Sequence, residues 1–280
     1  MNIYYPKSKP VGALQIIHGM GEHSLRYLDF TNFLVENGFI VILSDHLGHG
    51  KKALEKNKLG IINESFQILV DNQIKISENF LKNHPEINLF ILGHSMGSFI
   101  AQGHMKALGN TIKGYILMGG CGKRKLLPFL GKVFFRLLSF FTNKPLGISN
   151  RIFFSECESR NTHFNWLTTD QKELQKYLDD PLCGFSYNPY FYFSFLDFIT
   201  KLYNARDFKN INKNLKILIV SGEKDPVGIF GKGVKSLYKF YLQNNFKNIN
   251  FKLFFGMKHE ILNEKNKEKV YNFLINWLKK

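Results

Sequence analysis

The 280 residues suffice for one or two domains, and 44% hydrophobic against 21% charged residues, with 28 Phe and 12 Tyr, excludes a disordered or collagen-like chain. Three cysteines (Cys121, Cys157, Cys183), far apart and without a C-x-x-C pair, argue against a disulfide framework or zinc cage and for a reducing, cytoplasmic compartment. The net charge of +16 is spread along the chain, with Lys123-Arg124-Lys125 its one dense cluster, so the expectation is solvated faces, at most a mild peripheral attraction to an anionic membrane, and no nucleic-acid partner.

The opening MNIYYPKSKP is polar, and the apolar run 13–17 is too short for a signal-peptide core. Short apolar runs at 14–17, 39–43, 89–92 and 112–118 read as buried strands, and two more follow at 215–220 and 249–255. Amphipathic stretches at 27–37 and 66–82 lie between the first strands, 99–108 follows a glycine-rich turn, and 267–279 closes the chain. Strand and helix alternating in this way predict a mostly parallel, doubly wound α/β sheet covered on both faces. The alternation fails over 119–209, which is aromatic and strandless, too long for a loop, and therefore reads as a helical cap inserted into a core made of 1–118 and 210–280. Within the cap, 125–141 reads as a helix that places Lys132, Arg136 and Ser139 on one narrow stripe among Leu and Phe. Its charges make it a poor membrane span, and burial is the expected fate of so apolar a helix.

Gly93-His94-Ser95-Met96-Gly97 fits G-x-S-x-G between a predicted strand and a predicted helix. A serine there sits on a sharp turn that only flanking glycines permit, and its hydroxyl projects from the carboxyl end of the sheet beside helix N-terminal N–H groups. A hydroxyl becomes nucleophilic when a base takes its proton, and the base needs an orienting carboxylate. In this architecture acid and histidine come after later strands. Asp225 follows the strand at 215–220, with Glu223 in reserve, and His259 follows the strand at 249–255. Of nine histidines His259 alone stands there, and His18 reads as a structural hydrogen-bonding residue. Two N–H donors must meet the tetrahedral oxyanion, and Met96 and Met20 supply them, Met20 between Gly19 and Gly21 in the loop after the first parallel strand.

Competing motifs fail. His259-Glu260 lacks a second zinc-binding histidine because Asn263 stands in its place, and Gly122-Lys123 lacks the Gly at 117 and Ser/Thr at 124 of a phosphate loop. No dinucleotide fingerprint follows the first strand, so neither a metal nor a cofactor is expected.

The motifs His18-Gly-Met-Gly-Glu-His23 with Arg26-Tyr27, Asp45-His-Leu-Gly-His-Gly50, Gly93-His-Ser-Met-Gly97, Gly222-Glu-Lys-Asp-Pro-Val-Gly228 and His259-Glu-Ile-Leu-Asn-Glu264 together resemble the α/β-hydrolases of the monoacylglycerol lipase and bacterial lysophospholipase group, also labelled serine aminopeptidase-type. Thr162-His-Phe-Asn-Trp-Leu167 and Asp180-Pro-Leu-Cys-Gly-Phe185 resemble the cap of the bacterial branch. The resemblance implies an eight-stranded type of α/β-hydrolase fold with a helical cap and an acyl-chain tunnel. It assigns Ser95, Asp225 and His259 as the triad and the Met20 and Met96 amides as the oxyanion hole. It also implies glycerol-hydroxyl contacts for Glu22 and Arg26, whose i,i+4 spacing equally suits a surface ion pair. Two departures are visible: the first parallel strand starts so early that leading strands are shortened or lost, and Ser98 replaces a common glycine. The implied activity is a serine carboxylester hydrolase for single-chain lipid esters, with a peptidase and an inactive hydrolase-fold binder as alternatives.

Overall fold

The computed structural model describes residues 1–123, 127–147, 157 and 164–280; Arg124, Lys125, Thr162 and His163 of the sequence motifs lie outside the described residues. Its sheet has the strand order β1-β3-β2-β4-β5-β6-β7. The strands are β1 (Asn2–Tyr4), β2 (Gly12–Ile17), β3 (Phe39–Leu43), β4 (Leu89–His94), β5 (Gly114–Met118), β6 (Lys216–Gly222) and β7 (Ile249–Phe254). All pairs are parallel except β1 with β3. This is the expected α/β-hydrolase fold with seven strands among the described residues instead of eight. β1, a three-residue edge strand, is too short and too exposed to carry a sequence pattern.

Side-chain alternation on each strand feeds two cores. On β4, Leu89 and Ile91 join one, Phe90 and Leu92 the other. The first core is covered by α3 (Gln67–Asn83), α4 (Met96–Leu108) and α8 (Lys232–Gln243), the second by α1 (Leu28–Glu36) and α9 (Lys267–Lys279). A short α2 (Gly50–Glu55) follows β3.

Between β5 and β6 the described residues form helices and no strand: α5 (Leu127–Leu138), α6 (Gln171–Asp179) and α7 (Pro189–Leu202). Asp170 starts α6 by accepting from the Lys172 N–H (2.9 Å), and α7 starts with proline at its first position, where no amide hydrogen is needed. α5 lies against α7 through Phe135 stacked on Tyr192 (centroids 4.7 Å). The expectation that α5 is buried is overturned. Phe135 is buried, but Leu130, Val133, Phe134 and Leu137 are 45–58% exposed because α7 offers only one face to cover it. The aromatic run 190–196 packs between layers: Phe195 meets Phe66 (4.7 Å) and Phe99 (5.8 Å).

Candidate active site

β4 ends at His94, α4 begins at Met96, and Ser95 between them holds φ 53° and ψ −119°. That left-handed conformation strains a residue with a Cβ. It is held by the Ser95 N–H donating to the Met118 carbonyl (2.8 Å) and by the Ser98 N–H and hydroxyl donating to the Ser95 carbonyl (2.9 and 2.7 Å). Ser98 is thus accommodated with its hydroxyl satisfied. A side chain at Gly93 would come within 2.2 Å of the Gly97 carbonyl, and one at Gly97 within 2.0 Å of the Ile17 carbonyl, so both glycines are required by close approach.

Asp225, fully buried, lies in the turn after β6. It accepts from His259 Nδ1 (2.9 Å), from the Ser221 hydroxyl (2.6 Å) and from the Val227 N–H (2.9 Å). Burial would raise its pKa, but the charge and hydrogen bond of His259, with the bonds from Ser221 and the backbone, hold it below the usual carboxylate range. The reserve acid, Glu223, instead accepts from the Gly256 N–H (3.1 Å). His259 Nε2 is buried without a hydrogen-bond partner among the described residues, so the Ser95–His259 bond is not formed in this resting geometry. Ser95 and His259 nonetheless line one pocket, with Met20, Glu22 and His94 from the core and aromatic residues of the cap, Phe164, Trp166, Tyr177, Phe185 and Tyr187. The Trp166 ring lies 5.0 Å from that of His259. The 125–141 helix and the 190–196 run do not line it among the described residues.

The loop after β2 packs on the serine turn, a Cβ built at Gly19 falling 3.1 Å from that of Ser95. Met20 lines the pocket, and Met96, as the first residue of α4, carries one of the amides a helix start leaves unpaired. His18, fully buried, is structural as expected. Its Nε2 accepts from the His46 N–H (3.1 Å), which places its hydrogen on Nδ1 to donate to the Gly19 carbonyl (2.9 Å). Its ring packs with those of His46 and His49 (centroids 4.1 and 5.1 Å), and burial pushes His18 well down, His46 to about 4 and His49 to about 3.

Glu22 and Arg26 form the i,i+4 ion pair (3.1 Å), but buried instead of on the surface, with side chains 4% and 9% exposed. Glu22 Oε1 accepts from the Gly19 N–H (2.5 Å), the Tyr27 hydroxyl (2.9 Å) and His94 Nδ1 (3.2 Å). Arg26 grips Glu260, the neighbour of His259, with two bonds of 2.5 and 2.7 Å, and does not itself line the pocket. Burial opposes the charge on Glu22, yet the hydrogen bond and charge of His94, with the Arg26 cation, hold its carboxyl far below the ordinary range. Burial would likewise lower His94, and its bond to Glu22 with the surrounding carboxylates raises it instead. The sequence does not mark His94 and Glu260 as functional neighbours, although each adjoins a predicted triad residue. Nothing in their spacing shows that the buried Glu22–Arg26 pair joins them.

A family model described as serine aminopeptidase S33 matches residues 8–266. A monoglyceride lipase of Mus musculus is 31% identical over 96 residues, 34% of this chain, and the match spans only 30% of that relative's length. A monoglyceride lipase homolog of Monkeypox virus is 26% identical over 284 residues, covering 98% of this chain and 91% of the viral one. The solved structure of a thermostable carboxyl esterase from Bacillus coagulans in complex with glycerol superimposes with a TM-score of 0.88 at 26% identity, covering 99% of this chain and 92% of that one. With the strand-to-helix serine turn, the late Asp–His pair and this match along nearly its whole length, the chain belongs to the serine aminopeptidase S33 family of α/β-hydrolases.

Proposed function

We propose that this chain is a serine carboxylester hydrolase acting on single-chain lipid esters, a monoacylglycerol or a lysophospholipid. The observation that carries the reading is a strained Ser95 sharing an aromatic-walled pocket with His259, whose ring is oriented by buried Asp225. Ser95 Oγ attacks the ester carbonyl while His259 Nε2 takes its proton. The oxyanion is met by the Met20 and Met96 N–H groups, and the imidazolium then protonates the leaving alcohol. Water repeats the relay to release the fatty acid. Asp225 holds the imidazole with its hydrogen on Nδ1 and stabilises the imidazolium.

The wall formed by Phe164, Trp166, Leu167 and Phe185 supports an apolar acyl group, since each buried methylene contributes about 0.8 kcal/mol. Glu22 supports recognition of a hydroxylated head group. Its Oε1 is fully engaged, but among the described residues Oε2 accepts only from Arg26 and retains a lone pair for a substrate hydroxyl, with Arg26 as the positioning partner. A peptidase would need a carboxylate for the substrate's α-amine. The cap residues that line the pocket, Phe164, Trp166, Leu167, Tyr177, Phe185 and Tyr187, carry none, which disfavours that reading. The exposed apolar face of α5, on a chain of net charge +16, supports peripheral contact with an anionic lipid surface. No helix among the described residues is long and apolar enough to cross a membrane.

The test is hydrolysis of p-nitrophenyl esters from acetate to decanoate and of a panel of monoacylglycerols, lysophosphatidylcholines and aminoacyl amides. Turnover should rise with chain length and fall at least about 10³-fold in Ser95→Ala. A fluorophosphonate probe should label the native chain and not that variant. Full activity in Ser95→Ala, or a preference for acetate, overturns the reading, and folded protein that resists the probe is a binder.

A further inference from the structure

The turn 180–184 of the cap presses on the loop that follows β2. The Gly184 N–H and the Tyr177 hydroxyl both donate to the Gly21 carbonyl (2.9 Å each). At this seam His23 from the core meets Asp180 and Cys183 from the cap, with one ligand atom of each within 4.8 Å of the others. It is the one such group of His, Cys, Asp or Glu among the described residues. His23 is buried and its Nε2 lies 2.8 Å from Asp180 Oδ2, whose side chain is 28% exposed. Cys183 is a partly exposed free thiol, so the group is reachable from solvent. None of the three lines the catalytic pocket.

We propose that His23, Asp180 and Cys183 form a site for a thiophilic divalent cation of the zinc class, a non-catalytic clamp between cap and core. Tetrahedral zinc with bonds of 2.0–2.3 Å holds its ligand atoms about 3.3–3.6 Å apart. The His23–Asp180 contact, at 2.8 Å, therefore opens by about half an ångström, and the sulfur, within 4.8 Å of both, closes by no more than about one. These are side-chain adjustments that rotamers on a turn can supply. One nitrogen, one oxygen and one sulfur suit zinc, cobalt or cadmium, whereas calcium and magnesium demand oxygen shells. On binding, the Cys183 S–H bond is replaced by a sulfur–metal bond and the proton leaves to solvent, with no electron transferred. The thiolate and the Asp180 carboxylate balance the 2+ charge, the imidazole adds none, and water completes the tetrahedron. Burial and the carboxylates of Asp180, Glu22 and Glu260 push the free thiol up against the opposing Arg26 cation, so the group stays protonated until a bound cation displaces the proton. Chain spacing gave no hint of the site, because His23 lies in a different segment from Asp180 and Cys183.

The experiment is titration of the purified chain with zinc chloride by calorimetry and with cobalt(II) chloride by absorption, on the native protein, Cys183→Ser and His23→Gln. One equivalent is expected to bind the native chain, at least about tenfold more tightly than either variant. The cobalt complex should show tetrahedral bands with a sulfur charge-transfer band that Cys183→Ser abolishes. Zinc should raise the melting temperature of the native protein but not of Cys183→Ser. Equal zinc affinity in native and Cys183→Ser, a cobalt complex without the sulfur band, or a band that survives in Cys183→Ser (assigning it to Cys121 or Cys157) each overturns the proposal. Cys183→Ser changes a single atom, so it decides the matter alone if His23→Gln does not fold.

Discussion

His18 donates from Nδ1 to the carbonyl of Gly19 at 2.9 Å. That carbonyl shares its peptide plane with the N–H of Met20, and in a trans peptide the two point in opposite directions. Drawing the oxygen toward His18 therefore turns the Met20 N–H away from it. The expected oxyanion donor is thus aimed by an imidazole whose tautomer is fixed by the His46 N–H on its other nitrogen.

Replacing His18 by Ala should consequently lower kcat by about 10²-fold, near the lower figure for losing one oxyanion donor, with a smaller change in KM. Steady-state kinetics on a water-soluble ester, with circular dichroism to confirm folding, checks this. A folded variant with native kcat would show that the Met20 amide holds its orientation unaided.

Glu264 fastens the base-bearing loop to the cap. It is buried, and it accepts from the Lys258 N–H (2.7 Å) and from both the N–H (3.1 Å) and the hydroxyl of Thr169. Glu264→Ala strands these donors, at roughly 1–3 kcal/mol for each that water cannot reach, so a loss of about 3 kcal/mol in urea unfolding is expected. Turnover should fall with it, because His259 rides on the same loop. A change below 0.5 kcal/mol would mean that water replaces the carboxylate.

Acid should destabilise the fold before ordinary carboxylates titrate. Burial holds His46 at about 4 and His49 and His104 at about 3, while the unfolded chain takes up these protons near pH 6.5. Between those values the unfolded state binds more protons, so stability falls as pH falls, by up to about 1.4 kcal/mol per pH unit for each imidazole. His94, raised by its carboxylate neighbours, works in the opposite sense, its contribution fading as pH climbs through its folded value. Thermal melts between pH 7 and pH 4 should slope accordingly, and His104→Gln should flatten the slope by about one proton. An unchanged slope in that variant would remove His104 from the acid sensitivity.

Leu130→Ser with Leu137→Ser should weaken co-sedimentation with vesicles containing anionic phosphatidylglycerol while leaving hydrolysis of short soluble esters unchanged. Native binding should fade between low and high salt, as expected for exposed charges within a Debye length of a lipid surface. Salt-insensitive binding, or none, would remove the membrane from the proposal.

The sequence by itself determined the sheet, since apolar runs of strand length separated by helical periods leave few arrangements. It also marked Ser95, Asp225 and His259, because a nucleophile turn and two post-strand loops are local features that each carry their own residues. Glu22 and Arg26 were legible as a pair, but not as a buried one. Burial depends on His94 and Glu260, which come from elsewhere in the chain and meet this pair only when β2, β4 and the loop after β7 reach the same end of the sheet. The fate of the cap's apolar helices was decided in the same way. Both α5 and α7 are greasy enough to be buried, and only the stacking of α7 between α5 and the sheet's helices made one of them core and left the other facing solvent. Periodicity reports what a segment needs to cover, whereas the tertiary structure decides how much of it is covered and by which neighbour.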